Sequence, residues 1–162
     1  MCMALRDIRA TDPIEALTDR LVVTVPNGTV TDEIAATAID YGITATQVLV
    51  RFDAEQTEQG RMNLMTLLAA LAAEQDVPAT AFLTAAQDDN DKVRWAVTKG
   101  LTHVSTSPES EACLLVMTLD QQESVRWRAI SALRRVRGGT PSFGGYLDCP
   151  PTADIVREAF LL

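Results

Sequence analysis

The stretch DKVRWAVTKGLTHV, residues 91–104, is written a second time as ESVRWRAISALRRV, residues 123–136. At a shift of 32 positions the two share Val93/Val125, Arg94/Arg126, Trp95/Trp127, Leu101/Leu133 and Val104/Val136. In each copy the apolar positions (Val93, Val97, Leu101, Val104 and Val125, Ala129, Leu133, Val136) follow at four, four and three residues, which is one face of an α-helix. Between the copies runs STSPESEACLLVMTLD, where Ser107 can cap a helix and Pro108 fits its first turn. Glu109 and Glu111 suit the positive helix end, and an apolar run follows. The repeating unit is a helical hairpin of about 32 residues, too small to bury its apolar face alone, so copies must stack.

An acid precedes each repeated arginine: Asp88 stands six residues before Arg94, and Asp120 six before Arg126. On this pattern residues 79–137 resemble the HEAT-repeat family. The resemblance implies an Asp in the turn between paired helices and an Arg early in the second helix, forming a ladder of ion pairs along the stack while the neighbouring Val packs inward. It implies an all-α fold, a short right-handed superhelix of HEAT-like helical hairpins, with Asp88, Arg94, Asp120 and Arg126 as structural ladder residues. Trp95 and Trp127 are expected to pack between successive units. Residues 60–75, GRMNLMTLLAALAAEQ, have helical apolar spacing but are read as lacking both the Arg and the Trp of the repeat.

The expected organisation is one α-solenoid domain over residues 1–162, with divergent N-terminal helices in 1–58, repeats in 59–137, and a loop and capping helix in 138–162. A helix is predicted over 13–24, with Asp12 as cap and Pro13 at its first position. VPNGTV at 25–30 reads as a turn, and its Asn27-Gly28 would also suit a short hairpin. Thr31 is expected to cap DEIAATAIDY, Gly42 to stop it, and TATQVLVRFDAE to form the next helix. Further helices are predicted at about 60–75, 79–87, 91–104, 109–119, 123–137 and 151–162. The loop RGGTPSFGGYLDCPP, residues 137–151, is longer than the 2 to 8 residues usual between bundle helices. Its Phe143 and Tyr146 either cover the open end of the stack or contact a partner.

Composition agrees with packed helices: 47% of residues are apolar and only 5% aromatic, in 162 residues of net charge −8. That charge argues against a nonspecific grip on nucleic acid or anionic lipid. No apolar run approaches the roughly 20 residues of a membrane span, and the opening MCMALRDIRATDP lacks the apolar stretch of a secretory signal. A cytoplasmic location is expected. Cys2, Cys113 and Cys149 lie far apart beside a single histidine, so neither a disulfide framework nor a metal site is encoded. Cys113, within ACLLVM, reads as a small buried side chain. The run DDND at 88–91 lacks the later glycine and glutamate of a calcium loop. His103 forms no nucleophile motif, the glycine pairs match no phosphate loop, and no cofactor is expected.

Charge is unevenly placed. Residues 123–162 hold six of the fourteen basic residues against four acids. Five of these arginines, Arg126, Arg128, Arg134, Arg135 and Arg137, crowd one predicted helix. Arg128 and Arg135 are seven apart and share a face. With Arg126 committed to the ladder, this strip suits an acidic peptide or phosphate, or is a solvated face complementing the helix C-terminus. The expected function is a noncatalytic protein-binding adaptor or scaffold, its partner another protein with an acidic segment. The contacts are expected at Arg128, Arg135, Arg137, Phe143 and Tyr146.

Two alternatives come from other classes. AIDYGITATQV, residues 38–48, is similar to the helix-turn-helix pattern of DNA-binding regulators; over 38–51 it would offer Thr44, Thr46 and Gln47 to bases and Arg51 to phosphate. The HEAT resemblance also reaches enzymes, such as a bilin lyase or a DNA glycosylase. The first would need an acid or Cys at the mouth of the stack, and the second a basic groove that the acidic charge disfavours.

Overall fold

The computed structural model describes residues 13–24 and 28–138, and every regular element among them is helical. The α-helices are α1 (Pro13–Val23), α2 (Gly28–Asp40), α3 (Ala45–Ala54), α4 (Glu58–Glu74), α5 (Asp91–Leu101), α6 (Pro108–Met117) and α7 (Glu123–Val136). The predicted capping helix 151–162 lies outside the described residues.

The boundaries follow from local chemistry. Gly42, at φ 81°, ends α2: its N–H donates to Ile39 O at 2.8 Å and that of Ile43 to Ala38 O at 3.0 Å, a closure open to few residues other than glycine. Thr44 and Gln47 then cap α3 reciprocally. Ser107 caps α6 as its sequence suggests, with Pro108 in the first turn. Two expectations are corrected. Helix α2 begins at Gly28, so Thr31 sits inside its first turn rather than at its cap. The helix expected over 79–87 is two 3-10 turns, Ala79–Phe82 and Ala85–Gln87. Tighter winding brings every third residue into one row, and Ala79, Phe82 and Ala85, all buried, form that row. The Phe82 ring presses on α5 where Gly100 leaves room; a Cβ there would stand 2.3 Å from it.

Three hairpins stand side by side: α3–α4, the 3-10 pair with α5, and α6–α7, with α4 packed on α5 and α5 on α7. Helices α1 and α2 pack together against α4. The core runs through the second helices, where Leu64, Leu68, Val97, Leu101, Ala129 and Leu133 are almost completely buried. The first hairpin corrects the reading of residues 60–75. At a shift of 33 rather than 32, Leu64, Leu68 and Leu71 match Val97, Leu101 and Val104, and Arg61 is the repeat's arginine. Met62 occupies the place of Trp95.

The ladder is continuous between hairpins. The carboxylate partner of Arg61 and of Arg94 is not the acid six residues before it but that of the following hairpin. Arg61 Nε meets Asp88 Oδ2 at 2.7 Å, and Arg94 Nε meets Asp120 Oδ2 at 2.6 Å; each Nη2 reaches the second oxygen, at 3.2 and 2.9 Å. The link back to the arginine's own turn is made to backbone: Arg94 Nη1 donates to Asp88 O and Asp89 O, and Arg126 Nη1 to Asp120 O and Gln121 O. With side chains 14% and 8% exposed, Arg94–Asp120 is a buried pair, in the regime where deleting one partner strands a charge. Burial alone would raise the Asp120 carboxyl. Hydrogen bonds from Arg94 and the Gln122 amide, with the charges of Arg94 and Arg126, outweigh it and hold the group below the ordinary carboxylate range.

Glu55 is the corresponding acid of the first hairpin. Its Oε1 accepts from the Thr57 amide at 2.8 Å, as Asp88 Oδ1 accepts from Asn90 at 2.9 Å and Asp120 Oδ1 from Gln122 at 2.8 Å. Glutamate is one methylene longer, and the space comes from Gly60, which stands where the other hairpins have the buried Val93 and Val125. A Cβ at Gly60 would lie 2.6 Å from Glu55 Cδ.

Two outcomes follow for urea unfolding. Gly60→Val should destabilise by about 1 to 3 kcal/mol through overpacking, and adding Glu55→Asp should recover most of it; additive losses would mean that the two sites do not share the space. Arg94→Gln should cost about 3 kcal/mol at neutral pH. Because the folded Asp120 carboxyl is depressed, its contribution is complete above the unfolded value near about 3.9 and is lost as pH falls through the lower folded one. The gap between wild type and Arg94→Gln should therefore close below pH ~4, and a constant gap would exclude Asp120 as its source.

Candidate functional site

The Arg94–Asp120 rung joins the N-terminal ends of α5 and α7, and the two helices pack on each other. Trp95 and Lys99 are four residues apart on α5, with His103 just beyond its end; Arg128 and Arg135 are seven apart on α7. The Arg128 guanidinium lies over the Trp95 ring, 4.9 Å from its centroid. Trp95 is half-buried against the core, so the contact between these hairpins is ring to guanidinium at the rim. Trp127 is half-buried as well.

The cations gather around His103. Desolvation of the ring, followed by the positive charges of Arg135, Lys99 and Arg128, pushes the imidazole below its ordinary value, so it is neutral at pH 7. Lys99, Arg128 and Arg135 each act on the same ring. The seven-residue spacing of Arg128 and Arg135 was legible in the sequence; Lys99, His103 and Trp95 were missed as companions. The signal that finds them is the same 32-residue register, which aligns Lys99 with Ser131 and His103 with Arg135 on adjoining helices.

The other candidate residues are placed differently. Arg128 does not project freely but is stacked on Trp95. Arg137 is drawn away from the strip into an ion pair with Glu111 of α6. Phe143 and Tyr146 lie outside the described residues. In residues 38–51, Gln47 Oε1 accepts the Thr44 amide at 2.9 Å as part of the α3 cap, and Arg51 pairs with Asp19 at 3.0 Å and Glu55 at 3.8 Å. Two of the groups that would read bases and the one that would hold phosphate are thus engaged within the protein. Cys113 is buried, and burial pushes its thiol upward, away from a reactive thiolate.

A second surface lies at the opposite ends of the same helices. A cleft of about 540 Å³ opens between the last two turns, around the Arg94–Asp120 rung, with Asp89, Asp91, Gln87 and Gln121 in its walls. Asp88, Asp89, Asp91, Asp120 and Glu123 gather at the N-terminal ends beside Lys92, Arg94 and Arg126, and Lys99 and Arg135 lie in the last turns. No protein-family model matches the chain, and comparison with curated proteins and with solved structures finds no match. No helix among the described residues is long and apolar enough to cross a membrane.

His103 is the chain's one histidine, so its imidazole signal in a proton NMR titration is unique. The midpoint should lie below ~6.5 in the wild type and rise in Arg135→Gln, while Arg20→Gln on the distant α1 leaves it in place. An unchanged midpoint in Arg135→Gln would mean that the two groups do not share a face.

Proposed function

We propose that the chain is a HEAT-like α-solenoid acting as a noncatalytic protein-binding adaptor or scaffold, whose α5–α7 face holds an acidic segment of a partner protein. The fold reading is supported by three hairpins in one register, each with an acid six residues before an arginine, and by Arg61 and Arg94 each reaching the acid of the following turn. The observation that carries the functional reading is the Arg128 guanidinium stacked on Trp95, with Lys99, His103 and Arg135 beside it, in a chain of net charge −8.

Stacking fixes the plane of the guanidinium while leaving its N–H edge available for the two oxygens of a carboxylate. A side chain already held in place loses little further freedom on binding, and Arg135 adds a second donor fork along the same helix. Rigid hairpins present this face without reorganisation. An acidic ligand would also relieve the mutual repulsion of the cations.

A fluorescein-labelled twelve-residue glutamate-rich peptide, with a lysine-rich peptide of equal length as control, tests the reading by fluorescence anisotropy. Wild type should bind the acidic probe and not the basic one, more weakly as salt rises from low to physiological strength. Arg128→Glu with Arg135→Glu should lose about tenfold or more in affinity, and Arg20→Glu should not. Equal binding of both probes, or of the acidic probe by both wild type and the double variant, would remove this face as the site.

A further inference from the structure

The last arginine of the ladder has an unfilled outer edge. Arg126 is prepared as Arg94 is, its Nη1 fastened to two carbonyls of its own turn, Asp120 O at 2.8 Å and Gln121 O at 2.9 Å. On Arg61 and Arg94 the other edge, Nε and Nη2, holds both oxygens of an aspartate from the next hairpin. On Arg126 no carboxylate among the described residues meets that edge. The edge is not sealed either. Among the described residues, Arg51 Nε is the one side-chain polar atom both buried and without a partner, so the waiting donors of the half-buried Arg126 are within reach of solvent.

The two filled rungs define what fits there. In each, one carboxylate oxygen is fixed by an amide two residues on in its own turn: Asp88 Oδ1 by Asn90 at 2.9 Å, and Asp120 Oδ1 by Gln122 at 2.8 Å. The same oxygen takes the arginine Nη2. The carboxylate thus arrives already oriented, in the plane of the fork, on a turn of the form Asp-x-Asn or Asp-x-Gln. With both sides of the contact held in advance, little side-chain freedom is left to lose. Acids in the neighbourhood do not forbid such a rung, since Arg94 holds Asp120 while the charges of Asp91 and Asp88 act on it as well.

We propose that the open edge of Arg126 is a carboxylate-binding site, taking from a partner protein an aspartate presented on such a turn, so that a third rung forms between two molecules. This site lies at the N-terminal end of α7, at the other end of the helix from Arg135, and needs no ligand on the α5–α7 face.

The arginine Nε–Hε resonances of the full chain, labelled with nitrogen-15 at arginine, test it. The probe is the blocked tripeptide acetyl-Asp-Gln-Gln-amide, which carries the turn of residues 120–122, with acetyl-Asn-Gln-Gln-amide and sodium acetate as controls. The Arg126 signal is identified by its loss in Arg126→Lys or, should that variant not fold, by through-bond assignment. In the free chain it should lie away from the paired positions of Arg61 and Arg94. The Asp peptide at millimolar concentration should move it toward them saturably, and both controls should bind at least about tenfold more weakly. The shift should persist in Arg128→Glu with Arg135→Glu, which separates this site from the α5–α7 face. A free-chain signal already at the paired position, meaning that the chain fills the edge itself, would overturn the proposal. So would an equal response to the Asn peptide or to acetate, or an Arg126 signal that moves no further than that of Arg20 on α1.

Discussion

A guanidinium withdrawn from water must have its donors met, and in this protein that requirement sets how one hairpin sits on the next. Arg94 satisfies its Nη1 donors within its own turn and turns its other edge outward, so only a neighbour that brings a carboxylate to within hydrogen-bonding distance completes it. The apolar faces of α4, α5 and α7 supply most of the stabilisation, being nondirectional and proportional to area. They do not by themselves choose between one sliding register and another. The rung does, because a shift of one residue would leave both a buried aspartate and a buried arginine unpaired.

The same constraint explains how the first hairpin diverges without losing its place. Replacing the ladder aspartate by Glu55 adds a methylene that the turn has no room for, and the loss of the valine side chain at Gly60 provides it. A valine in one copy and a glycine in another look unrelated as letters. As volumes they are one solution: the pocket is filled by the acid's stem where it is not filled by the valine.

This is why the sequence shows two repeats plainly and hides a third. Arg94 and Arg126 are flanked by identical Val and Trp, whereas Arg61 is flanked by Gly60 and Met62 and lies 33 rather than 32 residues away. What survives is the six-residue offset from acid to arginine, Glu55 to Arg61, and the 4-4-3 spacing of apolar positions. The 3-10 turns before α5 were illegible for a different reason: Ala79, Phe82 and Ala85 at steps of three suit either helix type, and the choice is made by the Phe82 ring seating on Gly100, a contact between elements. Of the candidate site, the shared face of Arg128 and Arg135 followed from helical period alone. That Arg128 would stack on Trp95, and Arg137 turn to Glu111, depended on which helices become neighbours.

Whether the α5–α7 face attracts an acidic ligand or merely balances its helices is a question of magnitude. Cations near helix C-termini are favourable because each end carries a partial charge of roughly −0.5. For α5 and α7 together that is about one negative charge, set against Lys99 and Arg135 in their last turns, with Arg128 further back on α7. The Trp95 ring offsets part of one by its negative face, without adding net charge. The depressed His103 imidazole, lowered by desolvation and then by the charges of Arg135, Lys99 and Arg128, is the local record of the positive charge around it. Among the described residues, Glu111 at the start of α6 is the acid brought to this end, where it pairs with Arg137. The Arg94–Asp120 rung therefore gathers acids at the turns, while Lys99 and Arg135 lie toward the opposite ends of α5 and α7.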